Sequence, residues 1–115
     1  MHKIKLDSLD RMFSLIVRKR ADGKCEYCGQ VKKLQCAHFI GRRYRNTRWE
    51  FDNCVALCFS CHNWMHDFPS DCDEFFTQRL GSKRVEELQI QARTYNKVDK
   101  EAVKKKLKDI LTGMS

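Results

Sequence analysis

Two C-x-x-C pairs, Cys25-Glu-Tyr-Cys28 and Cys58-Phe-Ser-Cys61, constrain this chain more than any other feature. Each pair presents two thiolates from one tight turn, and a single tetrahedral ion can join turns that are distant in sequence. Cys25, Cys28, Cys58 and Cys61 are therefore the expected ligands of a structural Zn²⁺. Its binding would add folding free energy to a chain of 115 residues, which can build only a modest core. Buried free thiols are the alternative. A redox pair fits less well, because redox C-x-x-C pairs open a helix in a βαβ setting and the first pair does not. A four-thiolate ion has no open position, so any chemistry must come from other residues.

The seven cysteines are odd in number and cannot all pair within one chain. Cys36, Cys54 and Cys72 fall outside the quartet, with no role assigned by their spacing. The composition, 42% hydrophobic and 33% charged, is that of a soluble protein, and no apolar run approaches a bilayer span. The segment Met1–Asp7 lacks the pattern of a secretory signal, so the expected location is cytoplasmic, where metal is a better use of thiols than disulfides. Net charge is +8 and unevenly placed: residues 1–49 carry +9 and residues 50–115 carry −1. A basic half that overlaps a metal-ligand cluster points to nucleic acid as partner. A merely solvated basic face is the alternative.

Periodicity sets the expected elements. Leu6, Leu9, Met12, Phe13, Ile16 and Val17 form one helical stripe, capped by Asp7 or Ser8 and ended at Asp22-Gly23. Residues 24–33 form the first knuckle, 34–40 a short strand, 42–48 a basic loop, 55–57 a second strand and 59–67 a helix. Two strands and a helix clasping a metal make a ββα-metal core. Helices are expected from Ser70 to Leu80, from a Ser82 cap through Ala92, and from an Asn96 or Asp99 cap to Leu111. The fold class is α+β: a zinc-stabilised ββα-metal core at 24–68, flanked by an N-terminal helix at 1–23 and C-terminal helices at 69–115. No linker divides the chain, so 1–115 is read as one domain.

His62 and His66 stand four apart, so on a helix both imidazoles face one way, as ligands of a divalent cation would. The alternative is one packed on the knuckle and one solvated. His38 sits on the first strand beside the basic loop, where it can take a proton from water attacking a phosphodiester. A satisfied core histidine is the alternative. Asn53, before the second strand, can fix the loop that aims His38, or serve as an ordinary turn residue. Arg42, Arg43, Arg45 and Arg48, interleaved with Tyr44 and Trp49, suit phosphate and sugar contacts. Ordinary surface arginines with Trp49 in the core are the alternative.

A strand histidine, an asparagine before the next strand and a histidine on the following helix resemble the pattern of the HNH endonucleases. His38, Asn53 and His62 fit in that order, with His66 as a further helix ligand. The phrases Ala37-His-Phe-Ile-Gly-Arg-Arg43, Thr47-Arg-Trp-Glu-Phe-Asp-Asn53 and Cys58-Phe-Ser-Cys-His62 are most similar to the phage NinG/Rap recombination endonucleases. The resemblance implies a metal-dependent DNA endonuclease leaving 5′ phosphate and 3′ hydroxyl ends, with branched recombination intermediates as substrate. It implies His38 as general base, Asn53 as orienter of the loop, and His62 and His66 as ligands of a catalytic cation, Mg²⁺ or Mn²⁺. Where many members carry an acidic or histidine ligand before the base, this chain has Ala37; Asp52, Asp67 or Cys36 are candidates to compensate. That departure keeps a second reading open, a non-catalytic zinc-containing module that binds nucleic acid. A zinc-stabilised protein-interaction domain is a third. A symmetric junction would favour a possible homodimer, formed through the apolar stripe of residues 102–111 unless that stripe docks on its own domain.

Overall fold

A computed structural model describes residues 7–94 and 97–114. Leu6 of the first stripe and Asn96, one of the two expected caps of the last helix, lie outside the described residues. Helix α1 (Ser8–Arg20) starts at a carboxylate. Asp7 Oδ1 accepts from the Asp10 backbone N–H at 3.0 Å, and Asp10 Oδ2 accepts from the Asp7 N–H at 3.0 Å. This reciprocal box satisfies donors that have no partner within the first turn. Leu9, Phe13, Ile16 and Val17 recur at spacings of one, three and four, and all are buried. Beyond the C-cap Ala21, Asp22 (φ 54°) and Gly23 (φ 78°) turn the chain through left-handed backbone.

The first knuckle is a turn closed by the Lys24–Val31 bridge, with Gly29 at φ 77°. Strand β1 (Leu34–His38) pairs antiparallel with β2 (Cys54–Cys58). The expected strand ran to Ile40; it stops at His38 because the Ile40 N–H bonds the Asn53 side chain at 2.7 Å rather than a strand. The expected basic loop contains one short helix, α2 (Arg45–Arg48), followed by a 3₁₀ turn at Phe51–Asn53. Strand β2 runs straight into α3 (Phe59–Asp67), with Cys58 at its N-cap. Then follow α4 (Pro69–Leu80), α5 (Ser82–Arg93) and α6 (Lys100–Met114). Gly81 (φ 87°), not Ser82, occupies the cap of α5, because the chain turns between α4 and α5 through a conformation only glycine adopts freely. Asp99 caps α6, its Oδ1 accepting from the N–H groups of Glu101 and Ala102 at 3.1 Å each.

The register fixes which side chains share a face. His38 lies opposite Cys54 and Cys36 opposite Ala56, while Ala37 faces Val55 and Gln35 faces Leu57. The Phe13 and His38 rings meet at 5.9 Å, so α1 covers the His38 face. His62 bonds Gln35, so α3 covers the Gln35 and Ala37 face. The sheet is thus sandwiched between α1 and α3. Helix α6 packs along α1, with Leu107 buried and Val103, Ile110 and Leu111 partly buried against the core. The apolar stripe considered for a homodimer is therefore covered by its own chain.

Candidate functional site

The four knuckle thiols converge. Cys25, Cys28, Cys58 and Cys61 place their Sγ atoms within 4.8 Å of one another, and Cys28 and Cys58 are 3.9 Å apart. A tetrahedron with Zn–S bonds of about 2.3 Å has S···S edges of about 3.8 Å, so the residues present fit such an ion. Burial works to raise the Cys25 thiol. Backbone N–H groups of Cys28, Cys58 and Tyr27 outweigh it and hold the thiol at about 6, which favours a thiolate at neutral pH.

His38 is half-buried at the end of β1, and its Nε2 lies 2.8 Å from the Arg48 carbonyl oxygen. A carbonyl oxygen only accepts, so Nε2 carries the proton and Nδ1 keeps the lone pair. Burial pushes the imidazole below its ordinary pKa, with Arg42 adding in the same direction. The neutral ring is the form able to take a proton. Asn53 has 0% exposure. Its Oδ1 accepts from Ile40 N–H at 2.7 Å, and its Nδ2 donates to the carbonyls of Ile40 at 2.9 Å and Thr47 at 3.0 Å. It ties the segment after His38 to the helix whose last residue supplies the carbonyl on His38.

His62 and His66 lie on one face of α3, their rings stacked at 5.0 Å between centroids. His62 Nδ1 is 2.7 Å from Gln35 Oε1. An amide oxygen accepts, so Nδ1 carries the proton and Nε2 retains its lone pair for a ligand. Desolvation and the neighbouring His66 both lower the His62 pKa. A cleft of about 300 Å³ is lined by His38, Phe39, Gly41, His66, Cys72 and Asp73, among others, and so joins the strand histidine to the helix histidine. His38 reaches it from the sheet face opposite α3. The three imidazoles do not form one compact cluster: neither group of three or more ligating side chains among the described residues includes His62 or His66.

Two expectations need correction. Arg48, grouped with the phosphate-binding arginines, is 6% exposed and turned inward. Its Nε donates to Asp10 Oδ1 at 2.9 Å and its Nη2 to Asp10 Oδ2, so its charge is used to join α2 to α1. Arg42, Arg43 and Arg45 remain at or near the surface. Two of the three proposed substitutes for Ala37 also fail on position, whereas Asp67 is exposed at the end of α3. Ala37 is sealed in the core at 0% exposure, Asp52 pairs with Arg84 at 2.8 Å, and Cys36 lies on the face away from α3.

Three cysteines, Cys36, Cys54 and Cys72, had no role assigned by their spacing. Cys36, His38 and Cys54 bring ligating atoms within 4.8 Å of one another. A hydrogen bond from Cys54 holds the Cys36 thiol below its ordinary pKa against the effect of burial, while burial holds Cys54 well above. Cys72 and Asp73 form part of the cleft wall, and burial pushes the Cys72 thiol up to about 11. The alternation Cys36-Ala-His38 is visible in sequence, but its partner on β2 depends on register.

Residues 25–68 match the family model of the HNH endonucleases. No curated protein and no solved structure matches the chain. The matched HNH segment runs from the first knuckle cysteine to the end of α3, and includes His38, Asn53, His62 and His66. The likeness is to a family of endonucleases and covers this segment of the chain. Among the described residues, no helix is long and apolar enough to cross a membrane.

Proposed function

We propose that this chain is a metal-dependent endonuclease that hydrolyses DNA phosphodiesters, with residues 1–115 working as one unit. The observation that carries the reading is the His38 arrangement. A neutral imidazole has its Nε2–H fixed on the Arg48 carbonyl and its loop fastened by Asn53, and it borders the cleft that His66 also lines. Nδ1 of His38 takes the proton of the attacking water. His62, with Nε2 freed by its bond to Gln35, and His66 offer two nitrogens to a divalent cation, Mg²⁺ or Mn²⁺, whose remaining positions suit phosphate oxygens and water. Such a cation, when bound, supplies charge stabilisation at the phosphoryl and departing oxygens. Cys25, Cys28, Cys58 and Cys61 hold a structural Zn²⁺ that keeps the knuckles closed on the hairpin. Arg42, Arg43 and Arg45 contact DNA phosphates, in keeping with the +9 charge of residues 1–49.

Branched recombination intermediates are the proposed substrate within that class, on the likeness to NinG/Rap, and the site of action is cytoplasmic. Ala37 favours the rival reading, a zinc-containing module that binds nucleic acid without cutting it. The deciding experiment incubates supercoiled plasmid and a four-way junction with the protein under Mg²⁺, Mn²⁺ or chelator. Cation-dependent nicking is expected, with His38→Ala folded but slower by about 10²–10⁴. Salt-sensitive binding with no scission under any cation would establish the rival, and undiminished cutting by folded His38→Ala would remove His38 as base.

A further inference from the structure

Cys36, His38 and Cys54 project from one face at one end of the hairpin, because Cys36 and His38 alternate along β1 and Cys54 stands directly opposite His38. Their ligating atoms lie within 4.8 Å of one another. Zinc polyhedra built from thiolate and imidazole have edges of about 3.5–3.8 Å, so these atoms need close by only about an ångström. We propose that Cys36, His38 and Cys54 form a second metal site for a thiophilic divalent ion such as Zn²⁺, and that its occupation shuts down the cleft by claiming the His38 imidazole. The inhibitory half rests on the reading of His38 as base.

The chemistry separates this site from the others. Two thiols and one imidazole select a soft ion, whereas Mg²⁺ and Mn²⁺ prefer oxygen, so the ion that inhibits differs from the one that activates. The site is also distinct from the quartet. Cys54 and Cys58 begin and end β2, and a strand rising about 3.3 Å per residue sets them about 13 Å apart. Three protein ligands leave a fourth position to water, so the ion exchanges more readily than one in a closed four-thiolate site. Binding releases the two thiol protons to solvent and takes a lone pair, but no proton, from His38. That lone pair is the one the base needs, because the other ring nitrogen has its proton fixed on the Arg48 carbonyl. Of the three ligands His38 lines the cleft, and Cys54, at 0% exposure, holds the ion on the buried side.

The test uses the full chain with Zn²⁺ as probe, reading bound zinc by equilibrium dialysis and plasmid nicking in Mn²⁺. The native chain should bind a second equivalent beyond the quartet's, and nicking should fall as that equivalent loads. Cys36→Ser should retain the first equivalent, lose the second, and keep nicking at zinc concentrations at least about tenfold higher. Cys36→Ala repeats the measurement should the serine variant misfold, with circular dichroism as the check on folding. A native chain that binds one equivalent overturns the site. So does a second equivalent that survives Cys36→Ser, particularly one lost instead in His66→Ala. Zinc inhibition that is equal in native and Cys36→Ser protein overturns the switch. Absence of nicking under every cation defeats the nuclease reading and the switch with it, while dependence of the second equivalent on Cys36 still decides the site.

Discussion

At the scale of single residues, hydrogen bonds assign the tautomers that matter. Gln35 faces α3, and its amide oxygen leaves Nε2 of His62 unprotonated. Partners of this kind set ligand orientation and basicity, and their loss weakens metal binding by about 10–100-fold. Gln35→Ala should therefore raise the Mn²⁺ concentration for half-maximal nicking by that factor, with the rate at saturating Mn²⁺ largely kept. An unchanged cation titration would remove Gln35 from the ligand set's support. Asn53 is enclosed, and each polar atom of its amide has a backbone partner. Asn53→Ala leaves the Ile40 N–H without its acceptor, which costs about 1–3 kcal/mol, and frees the segment that aims His38. Chemical denaturation should show the destabilisation and nicking should drop more than the unfolded fraction explains; loss of stability alone would make Asn53 purely structural. The spacing of His38, Asn53, His62 and His66 made them candidates for a site. Which nitrogen of each ring is free could not be read, because that depends on partners supplied by other elements.

At the scale of elements, a buried ion pair links α1 and α2. Asp10 completes the cap of α1 and also receives the Arg48 guanidinium and the Trp49 indole N–H, the latter at 3.2 Å. Its hydrogen bond is the main cause of the raised Arg48 pKa. Breaking a buried ion pair by deleting one member costs about 3–5 kcal/mol, since the other charge is left desolvated. Asp10→Ala should lower stability by that order in urea titrations and loosen the Arg48 carbonyl that positions His38. A cost below about 1 kcal/mol would show that Arg48 finds compensation elsewhere. Helix boundaries were legible where local chemistry sets them: α3 was expected at 59–67 and is observed at Phe59–Asp67. The inward turn of Arg48 was not legible, because its partner is 38 residues away and a charge in sequence does not reveal whether it will be buried.

At the scale of the molecule, the quartet joins the first knuckle to the β2–α3 junction, two parts of the chain separated by residues 29–57. Other contacts span the same gap: the Glu26 N–H donates to the Ala56 carbonyl at 2.9 Å, the Glu26 carboxylate accepts from the Ala56 N–H at 2.6 Å and pairs with Arg79 at 2.8 Å, and Tyr27 stacks on Trp64 at 4.1 Å. Removing the proposed Zn²⁺ from so small a core would remove folding free energy directly. Stripping zinc with a strong chelator, then removing the chelator, should lower the melting temperature and abolish nicking assayed in Mn²⁺, and Zn²⁺ at one equivalent, but not Mg²⁺, should restore the melting temperature and the Mn²⁺-dependent nicking. An unshifted melting curve would mean the thiols close the knuckles without metal.

The amino-acid order alone determined the quartet, the HNH-like succession of His38, Asn53 and His62, the basic first half and most helix limits. All of these are local in origin: ligand spacing, capping groups, periodicity and charge do not depend on where distant residues come to rest. Tertiary structure alone decided that Arg48 is an internal strut, that His38 sits across the sheet from the helix histidines yet shares a cleft with His66, and that Cys36 and Cys54 meet beside it. Those facts follow from strand register and helix packing, where a shift of one residue would send each side chain to the opposite face.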